Sequence, residues 1–578
     1  MKKSSLLLSF ISLTFSINAQ LQTVFEISKG KETATYQESI KYYNALADQF
    51  PEVHIEEIGM TDSGYPLHLV TVSTSKTFDY SKVHENGDVV ILINNGIHPG
   101  EPDGIEACMM LVRDYLSDKS KQQALDKITL AIIPIYNIGG ALNRNSNSRA
   151  NQNGPLEYGF RGNGKNLDLN RDFIKMDSKN AKTFAQIYHK VKPDLLIDTH
   201  VSNGADYQYN ITHLATQADK LGGELGEYLK KEMIPLLEAG MSAKNEEIIP
   251  YVNVFNSAPD KEGYTQFMDS PRYSSGYTTL FHTIGFTIET HMLKPFDVRV
   301  SATYRFIETM IEIAQKDGVK IKDMRASRVN ESLVGKLLPI EWKLDRSQFR
   351  TLSFKGYEME PKVSEITGED RVYFNRKNPF TKEIPYYNFY VPKTEVTVPK
   401  AYIIPQAWSK VIEYLGLNNV IVKKLDQDTS INVEAYRIEH YNTTKTPYEA
   451  HYLHNSTNVS SSVTAMNFRK GDYWISLDQP AGRFLIEVLE PQAKDSYFNW
   501  NFFDTILQQK EHFSPYVFEE VAVKLLIDNK ALKEKFDKKK EEDIEFAKNA
   551  RAQLNYIYRN SLHYEESHMR YPVFRCSE

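Results

Sequence analysis

The sequence predicts an α/β fold, in which a mixed, mostly parallel twisted sheet has helices on both faces. Two observations lead to this prediction. The strand-like runs at 89–93 and 128–137 are apolar almost throughout, which is typical of strands buried on both faces. Segments with helical spacing of apolar residues separate such runs along the chain. That alternation of strands and helices favours parallel pairing.

The elements of this first region follow from the period of their apolar residues. A period near 3.6 predicts a helix, and alternation or a short continuous apolar run predicts a strand. The predicted elements, in order, are a helix at 35–50, strands at 55–59, 67–72 and 89–93, a helix after 101, a strand at 128–137, a helix at 178–191, a strand at 193–200, helical sequence at 214–240, a strand at 285–291 and a helix at 301–316. The polar stretch 143–165 is long for a loop, and a loop of this length is usually either functional or disordered.

A chain of 578 residues is too long for one core, so several domains are expected. We place a catalytic domain at 20–330. Short apolar runs separated by turn residues, including 482–488, predict a β-rich accessory domain at 331–495. Residues 496–578 predict a helical C-terminal segment with a charged, solvated face.

The start of the chain has the pattern of a secretory signal. Lys2 and Lys3 precede an apolar stretch at 6–15, and Ala19 is a small residue suited to cleavage. We therefore predict a signal peptide at 1–19, a secreted or periplasmic protein, and no membrane span after signal removal. The net charge of -6 gives no electrostatic case for binding nucleic acid.

Three residues at the ends of predicted strands can share a metal ion. His98 and Glu101 lie on the turn between the strand 89–93 and the following helix, and His200 ends the strand 193–200. Sites in open α/β sheets gather at the carboxyl ends of strands. Two histidines and one carboxylate leave one position open for water, as in a catalytic zinc site. We predict one Zn²⁺ per chain, with Glu289 near the end of a further strand as general base.

The sequence resembles the zinc carboxypeptidases of the carboxypeptidase A type, the M14 metallopeptidases. The matching pieces occur in the family's order within about 35–320, at 98–101, 167–171, 198–200 and 287–289. The resemblance implies the same zinc ligands and the same general base. It also implies that Asn170 and Arg171 hold the terminal carboxylate of a peptide substrate. The implied activity is hydrolysis of the C-terminal peptide bond by a zinc-activated water.

Other residues implied by the resemblance are less sharply defined. The family uses an Arg from the preceding loop to stabilise the oxyanion; we choose Arg161, with Arg149 as the alternative. A substrate-capping Tyr is expected upstream of the base, and both Tyr273 and Tyr277 qualify. Asp168 is expected to orient His98 through its second ring nitrogen.

Two other functions are compatible with these residues. Related zinc amide hydrolases that act on N-acyl amino acids or cell-wall peptides share the zinc ligands. A non-catalytic binding protein would instead use the β-rich C-terminal part. The sequence has no Gly-x-Ser-x-Gly elbow and no phosphate-binding glycine-rich loop, so serine hydrolase and nucleotide chemistry have no support. Cys108 and Cys576 lack metal-site spacing, and whether they pair is open.

Overall fold

The computed structural model describes residues 21–255 and 257–577. The predicted signal peptide at 1–19 lies outside these residues. The strands of the first region are β1 (Val53–Met60), β2 (Pro66–Ser73), β3 (Val89–Asn94), β4 (Ile128–Ile133), β5 (Leu195–Ser202), β6 (Ile211–Ala215), β7 (Ile248–Pro250), β8 (Tyr264–Thr265) and β9 (Ile284–His291). All of them except β8 form one eight-stranded sheet in the order β1-β2-β4-β3-β5-β9-β6-β7.

The centre of this sheet is parallel and its flanks are mixed. β4, β3, β5 and β9 run in the same direction, whereas β1–β2, β2–β4 and β9–β6 pair antiparallel. Every residue of β3, β4 and β5 is buried, which explains the almost continuous apolar sequences of β3 and β4. The predicted mixed, mostly parallel sheet is confirmed. Because β3, β5 and β9 are neighbours, their carboxyl ends meet at one edge.

Helices cover both faces of the sheet. In the first region they are α1 (Val24–Ile27), α2 (Tyr36–Gln49), α3 (Tyr80–Glu85), α4 (Asp103–Ser117), α5 (Lys119–Gln123), α6 (Ile138–Leu142), α7 (Lys179–Val191), α8 (Ala218–Leu221), α9 (Gly223–Tyr228), α10 (Ile234–Ala243), α11 (Ser274–Thr279) and α12 (Phe296–Val329). A capping box at Thr35 and Glu38 starts α2. The predicted helix at 301–316 is the buried middle of α12, which continues beyond it at both ends.

A glycine sets the distance between α4 and β5. A Cβ added at Gly104 would overlap the side chains of Thr199 and Asn95. The first turn of α4 therefore lies directly against the end of β5. This close approach brings the turn that carries Glu101 next to His200.

The C-terminal region is dominated by long antiparallel hairpins. Its strands are β10 (Leu337–Leu344), β11 (Arg350–Val363), β12 (Asp370–Tyr387), β13 (Tyr390–Thr397), β14 (Ala401–Ile404), β15 (Lys423–Lys424), β16 (Thr429–Thr443), β17 (His454–Phe468), β18 (Tyr473–Ser476) and β19 (Phe574–Cys576). Its helices are α13 (Ser409–Leu417), α14 (Gly482–Leu489), α15 (Pro515–Asp528), α16 (Lys530–Glu542), α17 (Ile544–Ala547) and α18 (Ala550–Arg559). A six-stranded sheet has the order β15-β18-β14-β19-β16-β17.

Two expectations for this region need correction. The run 482–488, interpreted as part of a β domain, is the helix α14, and all of its residues are buried. A short apolar run that is buried on every side does not reveal its period, so sequence alone cannot separate helix from strand there. The segment 496–578 is mostly helical as predicted, but it ends in the strand β19, which pairs with β14.

The two regions share one hydrophobic core. Phe281 of the first region stacks on Phe484 of α14 with 5.5 Å between ring centroids, and both belong to one continuous buried cluster. β8 also pairs with β12 across the boundary. Cys108 and Cys576 are both buried and free. Within 21–255 and 257–577, none of the helices combines the length and apolarity needed to cross a bilayer.

Candidate active site

The structure brings His98, Glu101 and His200 together at the carboxyl edge of the parallel strands. The Nδ1 atoms of the two histidines are 3.2 Å apart. One carboxylate oxygen of Glu101, Oε2, lies 3.2 Å from Nδ1 of His98 and 3.0 Å from Nδ1 of His200. All three residues are buried. Three potential ligand atoms therefore converge on one point from the strand ends of β3 and β5.

These donors fit a divalent metal of the zinc type. Zinc binds imidazole nitrogen and carboxylate oxygen at about 2.0–2.2 Å, which in a tetrahedral site places neighbouring ligand atoms about 3.3 Å apart. The observed separations of 3.0–3.2 Å are close to that spacing. Among the described residues, this trio is the one group of His, Cys, Asp or Glu side chains that meets the geometry of a metal site.

Each histidine is held by a second carboxylate through its other ring nitrogen. Nε2 of His98 lies 3.0 Å from Asp168 Oδ1, the contact expected from the sequence. Nε2 of His200 lies 3.0 Å from Asp198 Oδ2. Asp198 is itself fixed by hydrogen bonds from Ser274 Oγ and from Asn94 Nδ2. With Nε2 occupied in both rings, Nδ1 is the atom directed at the shared point.

The electrostatics of the site favour ionised carboxylates. Burial opposes ionisation of Glu101, but the neighbouring His98 and Arg149 outweigh it and hold the pKa of Glu101 well below its usual value. The pKa of Asp168 is likewise lowered against burial, chiefly by His98 and Arg161. For His200, burial lowers the pKa, yet Asp198 and Glu101 raise it well above the usual value. This concentration of negative charge would also attract a metal cation.

Glu289 lies on β9 directly beside His200, because the two residues are register partners in the parallel β5–β9 pair. Its side chain faces the same cavity as the three potential ligands. Burial raises the pKa of Glu289 to about 7, with His200 opposing that shift and Glu101 adding to it. A carboxylate with a pKa near neutrality is suited to taking and returning a proton.

Asn170 and Arg171 lie on a single 3₁₀ turn, Leu169–Arg171, and both line the cavity. The side chain of Asp168 caps this turn by accepting a hydrogen bond of 2.9 Å from the amide of Asn170. The guanidinium of Arg171 lies over the ring of Tyr273, 4.5 Å from its centroid. Such a stacked guanidinium keeps its hydrogen-bonding edge available for a carboxylate.

The two candidate oxyanion residues have different surroundings. Arg149 donates to Glu101 Oε1 at 2.8 Å and to the carbonyl of Val201 at 3.2 Å, so its hydrogen bonds fix a potential metal ligand. Arg161 pairs with Asp168 Oδ2 at 2.9 Å and leaves 45% of its side chain exposed. Both line the cavity. Arg161 is the one with more freedom to turn towards a bound substrate.

The structure separates the two candidate tyrosines. Tyr273 lines the cavity, whereas Tyr277 is fully buried in the core. The hydroxyl of Tyr277 donates to Asn418 Oδ1 at 2.7 Å. The helix α11 begins directly after Tyr273 and turns Tyr277 away from the cavity. Tyr277 therefore cannot contact a substrate in this fold.

Two residues of the site, Asp198 and Tyr251, were not identified from the sequence. Asp198 was part of a motif, but its role was not recognised; its position two residues before His200 on a strand places both on one face, which is a usable signal. Tyr251 lines the cavity just beyond β7. Its pKa is raised by burial and by the nearby Glu289, so it is a neutral donor. No sequence pattern pointed to Tyr251.

The cavity that joins these residues has a volume of about 640 Å³. Away from the three potential ligands its wall includes Leu214, Phe267, Asp269 and Thr287. Asp269 pairs with the buried Lys220 at 2.9 Å through Oδ1, while Oδ2 has no hydrogen-bond partner among the described residues. The cavity is therefore mixed in polarity and large enough for an amino-acid side chain.

Comparisons with known proteins find a similar family and similar chains. Residues 39–208 match the family model described as zinc carboxypeptidase, Peptidase_M14. Carboxypeptidase 2 of Trichophyton rubrum is 19% identical over 423 residues, which cover 70% of this chain and 72% of that protein. Carboxypeptidase 2 of Trichophyton equinum is 20% identical over the same shares of the two chains.

Solved structures give more distant matches. A metallo-carboxypeptidase from Burkholderia cenocepacia is 17% identical and has a TM-score of 0.36, with 49% of this chain and 70% of that chain covered. The carboxypeptidase A from Helicoverpa armigera is 15% identical and has a TM-score of 0.36, with 51% and 74% covered.

The family model and the curated relatives define the class of this protein: it is a metallopeptidase, a hydrolase of peptide bonds. More narrowly, residues 39–208 are similar to the zinc carboxypeptidases of the M14 family. The matched segment contains His98, Glu101, the Asn170–Arg171 pair and His200. Glu289 lies beyond that segment and joins the site through β9.

Proposed function

We propose that this chain is an exported zinc carboxypeptidase that removes the C-terminal residue of peptides with a free terminal carboxylate. The observation that carries the proposal is the convergence of three elements on one cavity. A possible metal triad lies at its base, Glu289 stands beside the triad, and the Asn170–Arg171 pair forms a wall. Each of these three features could have a purely structural role when taken alone. Their presence in one cavity supports hydrolysis of a peptide bond next to the end of a chain.

The residues that would hold the ion are His98, Glu101 and His200, with one Zn²⁺ per chain. When bound, zinc acts as a Lewis acid that polarises a carbonyl and makes water more acidic. Asp168 and Asp198 would keep the two imidazoles oriented for that role.

Glu289 would act as the proton carrier. Its carboxylate would take a proton from the attacking water and then deliver it to the nitrogen of the leaving amine. The pKa raised by burial supports both halves of this task, because a proton held near neutral pH is also readily released.

Arg171 and Arg161 would bind different negative charges of the substrate. Arg171 can bind a terminal carboxylate through two parallel hydrogen bonds, and Asn170 can add another. Arg161 would donate to the scissile carbonyl oxygen as its charge develops. Tyr273 would support Arg171 through their stacked contact. This division selects a chain end because an internal peptide bond has no carboxylate to offer Arg171.

Export is proposed from the sequence pattern at 1–19 alone. A secreted or periplasmic location would be tested by comparing the N-terminus of the mature protein from the native cell with Gln20. An uncleaved Met1 terminus in the cytosolic fraction would contradict export and leave the proposed chemistry unaffected.

The activity is tested with pairs of peptides that differ only in a free or amidated C-terminus, supplied to the zinc-loaded protein. We expect release of single C-terminal residues from the free peptides and slower cleavage by a factor of about 10–100 for the amides. Equal cleavage of both members of each pair would contradict carboxylate capture. A set of N-acyl amino acids in the same assay serves as a control for general amide hydrolysis.

A further inference from the structure

A four-residue turn of the C-terminal region reaches the rim of the active site. It consists of Tyr448, Glu449, Ala450 and His451, at the end of the connection between β16 and β17. The amide of Tyr448 donates to the carbonyl of His451 at 2.7 Å, and the reverse bond is 3.0 Å. We call these four residues the 448–451 turn. Besides Trp500, it contacts residues of the catalytic domain that lie far earlier in the chain.

Three side chains of the 448–451 turn hold that domain. The carboxylate of Glu449 accepts a hydrogen bond of 2.8 Å from the backbone amide of Asp168. Nε2 of His451 lies 2.8 Å from Asp177 Oδ2. The ring of Tyr448 lies 5.4 Å from the guanidinium of Arg272. The turn is therefore fixed to both sides of the segment that carries Asn170 and Arg171.

The contact of Glu449 is directly linked to the carboxylate-binding pair. The amide that Glu449 holds belongs to the residue that caps the 3₁₀ turn of Asn170 and Arg171. The same residue, Asp168, contacts His98 through its side chain. The residue after Arg272 is Tyr273, whose ring supports Arg171. One short turn thus contacts the residue that caps the 3₁₀ turn of Arg171 and the residue that precedes Tyr273.

The backbone of the 448–451 turn is unfavourable for its sequence. Glu449 and Ala450 have φ values of 49° and 69°, a conformation in which Gly, Asn or Asp is usual at both central positions of a tight turn. Non-glycine residues keep such angles only where surrounding contacts impose them, and they cluster at functional sites. Here the side chain of Glu449 is the part that a glycine could not supply.

We propose that Glu449 is a positioning residue for substrate binding, and that the C-terminal region thereby forms part of the carboxylate-binding site. By holding the amide of Asp168, Glu449 fixes the 3₁₀ turn that presents Asn170 and Arg171. This inference rests on the proposed carboxypeptidase function. It assigns a role in substrate binding to the C-terminal region.

The test compares Glu449→Gly with Glu449→Gln in the zinc-loaded full chain. Glycine removes the acceptor but relaxes the positive φ, so the melting temperature should not fall. Its KM for a free-carboxylate peptide should rise about tenfold or more, with a smaller change in kcat and unchanged zinc content. Glutamine keeps an acceptor oxygen, so KM should stay within about twofold of the wild type. Glu439→Ala, an exposed change on the same hairpin, is the matched control.

A wild-type KM in Glu449→Gly would overturn the inference. Hydrogen exchange gives a second measurement that does not depend on turnover: the amide of Asp168 should exchange slowly in the wild type and much faster in Glu449→Gly. If the wild type failed to cleave peptides, the proposed function would fall, and equal exchange in the two proteins would still refute the positioning role. The two failures are therefore distinguishable.

Discussion

The sheet that carries the active site and the hairpins of the C-terminal region are both built from β strands, but their burial differs. β3, β4 and β5 are buried at every residue. β12 and β17 are about two to three times longer than these strands, and most of their residues are exposed. A strand buried on both faces can place a catalytic side chain only at its end. A long exposed hairpin instead acts through its connection, as the 448–451 turn does at Asp168.

This difference predicts two kinds of mutational effect. Changes at the strand ends of the catalytic sheet should remove chemistry and spare the fold, because those side chains face a cavity. Changes where the C-terminal region enters the shared core should remove stability, since the two regions pack as one.

His200→Ala should remove both bound zinc and activity. The variant loses one of three protein ligands, and we expect a loss of at least about 10³-fold in kcat/KM. Zinc content by elemental analysis and peptide turnover would be measured together. His54→Ala, an exposed histidine on β1, is the control and should match the wild type. Full zinc occupancy in His200→Ala would exclude the proposed ligand set.

Glu289→Gln should keep zinc and lose about 10²–10⁴-fold in kcat, the usual contribution of a general base. Gln has nearly the same shape but cannot accept the proton. The melting temperature should change little, because the side chain of Glu289 faces the cavity and contributes little to the stability of the sheet. Near-normal turnover by this variant would refute the assigned mechanism.

The same residue predicts a loss of activity in acid. The base form of Glu289 is the active one, so kcat/KM should fall as the pH drops through its pKa. Burial raises that pKa to about 7 in the absence of metal, and a bound cation would lower it. The acid limb of the pH profile should therefore lie at or below about pH 7 and disappear in the residual activity of Glu289→Gln. A kcat/KM that rises steadily towards acid would argue against this base.

Asp495→Ala should destabilise the whole chain. Asp495 is fully buried and accepts hydrogen bonds from the amide and guanidinium of Arg272, at 3.0 and 2.7 Å. Removing it leaves a buried, unpaired guanidinium, which costs about 3–5 kcal/mol. Denaturant unfolding would measure the change. An exposed aspartate, Asp428→Ala, provides the comparison. Independent unfolding of the catalytic domain, unaffected by Asp495, would show that the regions are not coupled.

Arg171→Ala should weaken substrate binding by about 1.5–3 kcal/mol, the range for a hydrogen bond to a charged group. KM for free-carboxylate peptides should rise about 10- to 100-fold, while the already poor cleavage of amidated peptides should hardly change. Arg144 donates to the backbone carbonyls of Thr33 and Ala34 and is not a suitable control, so the exposed Arg469→Ala is the control. Equal losses on both substrate types would mean that Arg171 has a structural role.

The smallest effect is expected on the helical tail. Lys538 and Glu542 form an exposed i,i+4 pair on α16 at 3.7 Å, and such pairs contribute little in high dielectric. Lys538→Ala should shift the melting temperature by no more than about 1 °C and leave KM unchanged. A large shift would show that the charged face of α16 packs against something in solution.

The amino-acid sequence was sufficient to predict the fold class of the catalytic domain and its main candidate residues. Burial on both faces leaves an almost continuous apolar run, so β3 and β4 could be predicted from their apolar residues. Functional residues in such sheets gather at the carboxyl ends of the strands. This rule led to the prediction of His98, Glu101 and His200. The same reasoning was wrong at 482–488, because complete burial removes the periodic difference between a helix and a strand.

The contacts between segments that are distant in the sequence could be identified only from the tertiary structure. The local sequence pattern indicates which side of a helix or strand is buried. It does not indicate which residues of other segments lie on the far side of a cavity. The choice of Tyr273 over Tyr277 depended on where α11 begins, and the contact between Arg149 and Glu101 depended on the path of a long loop. The 280-residue separation of Glu449 from Asp168 left no local trace, because their contact is set by the packing of two regions into one core.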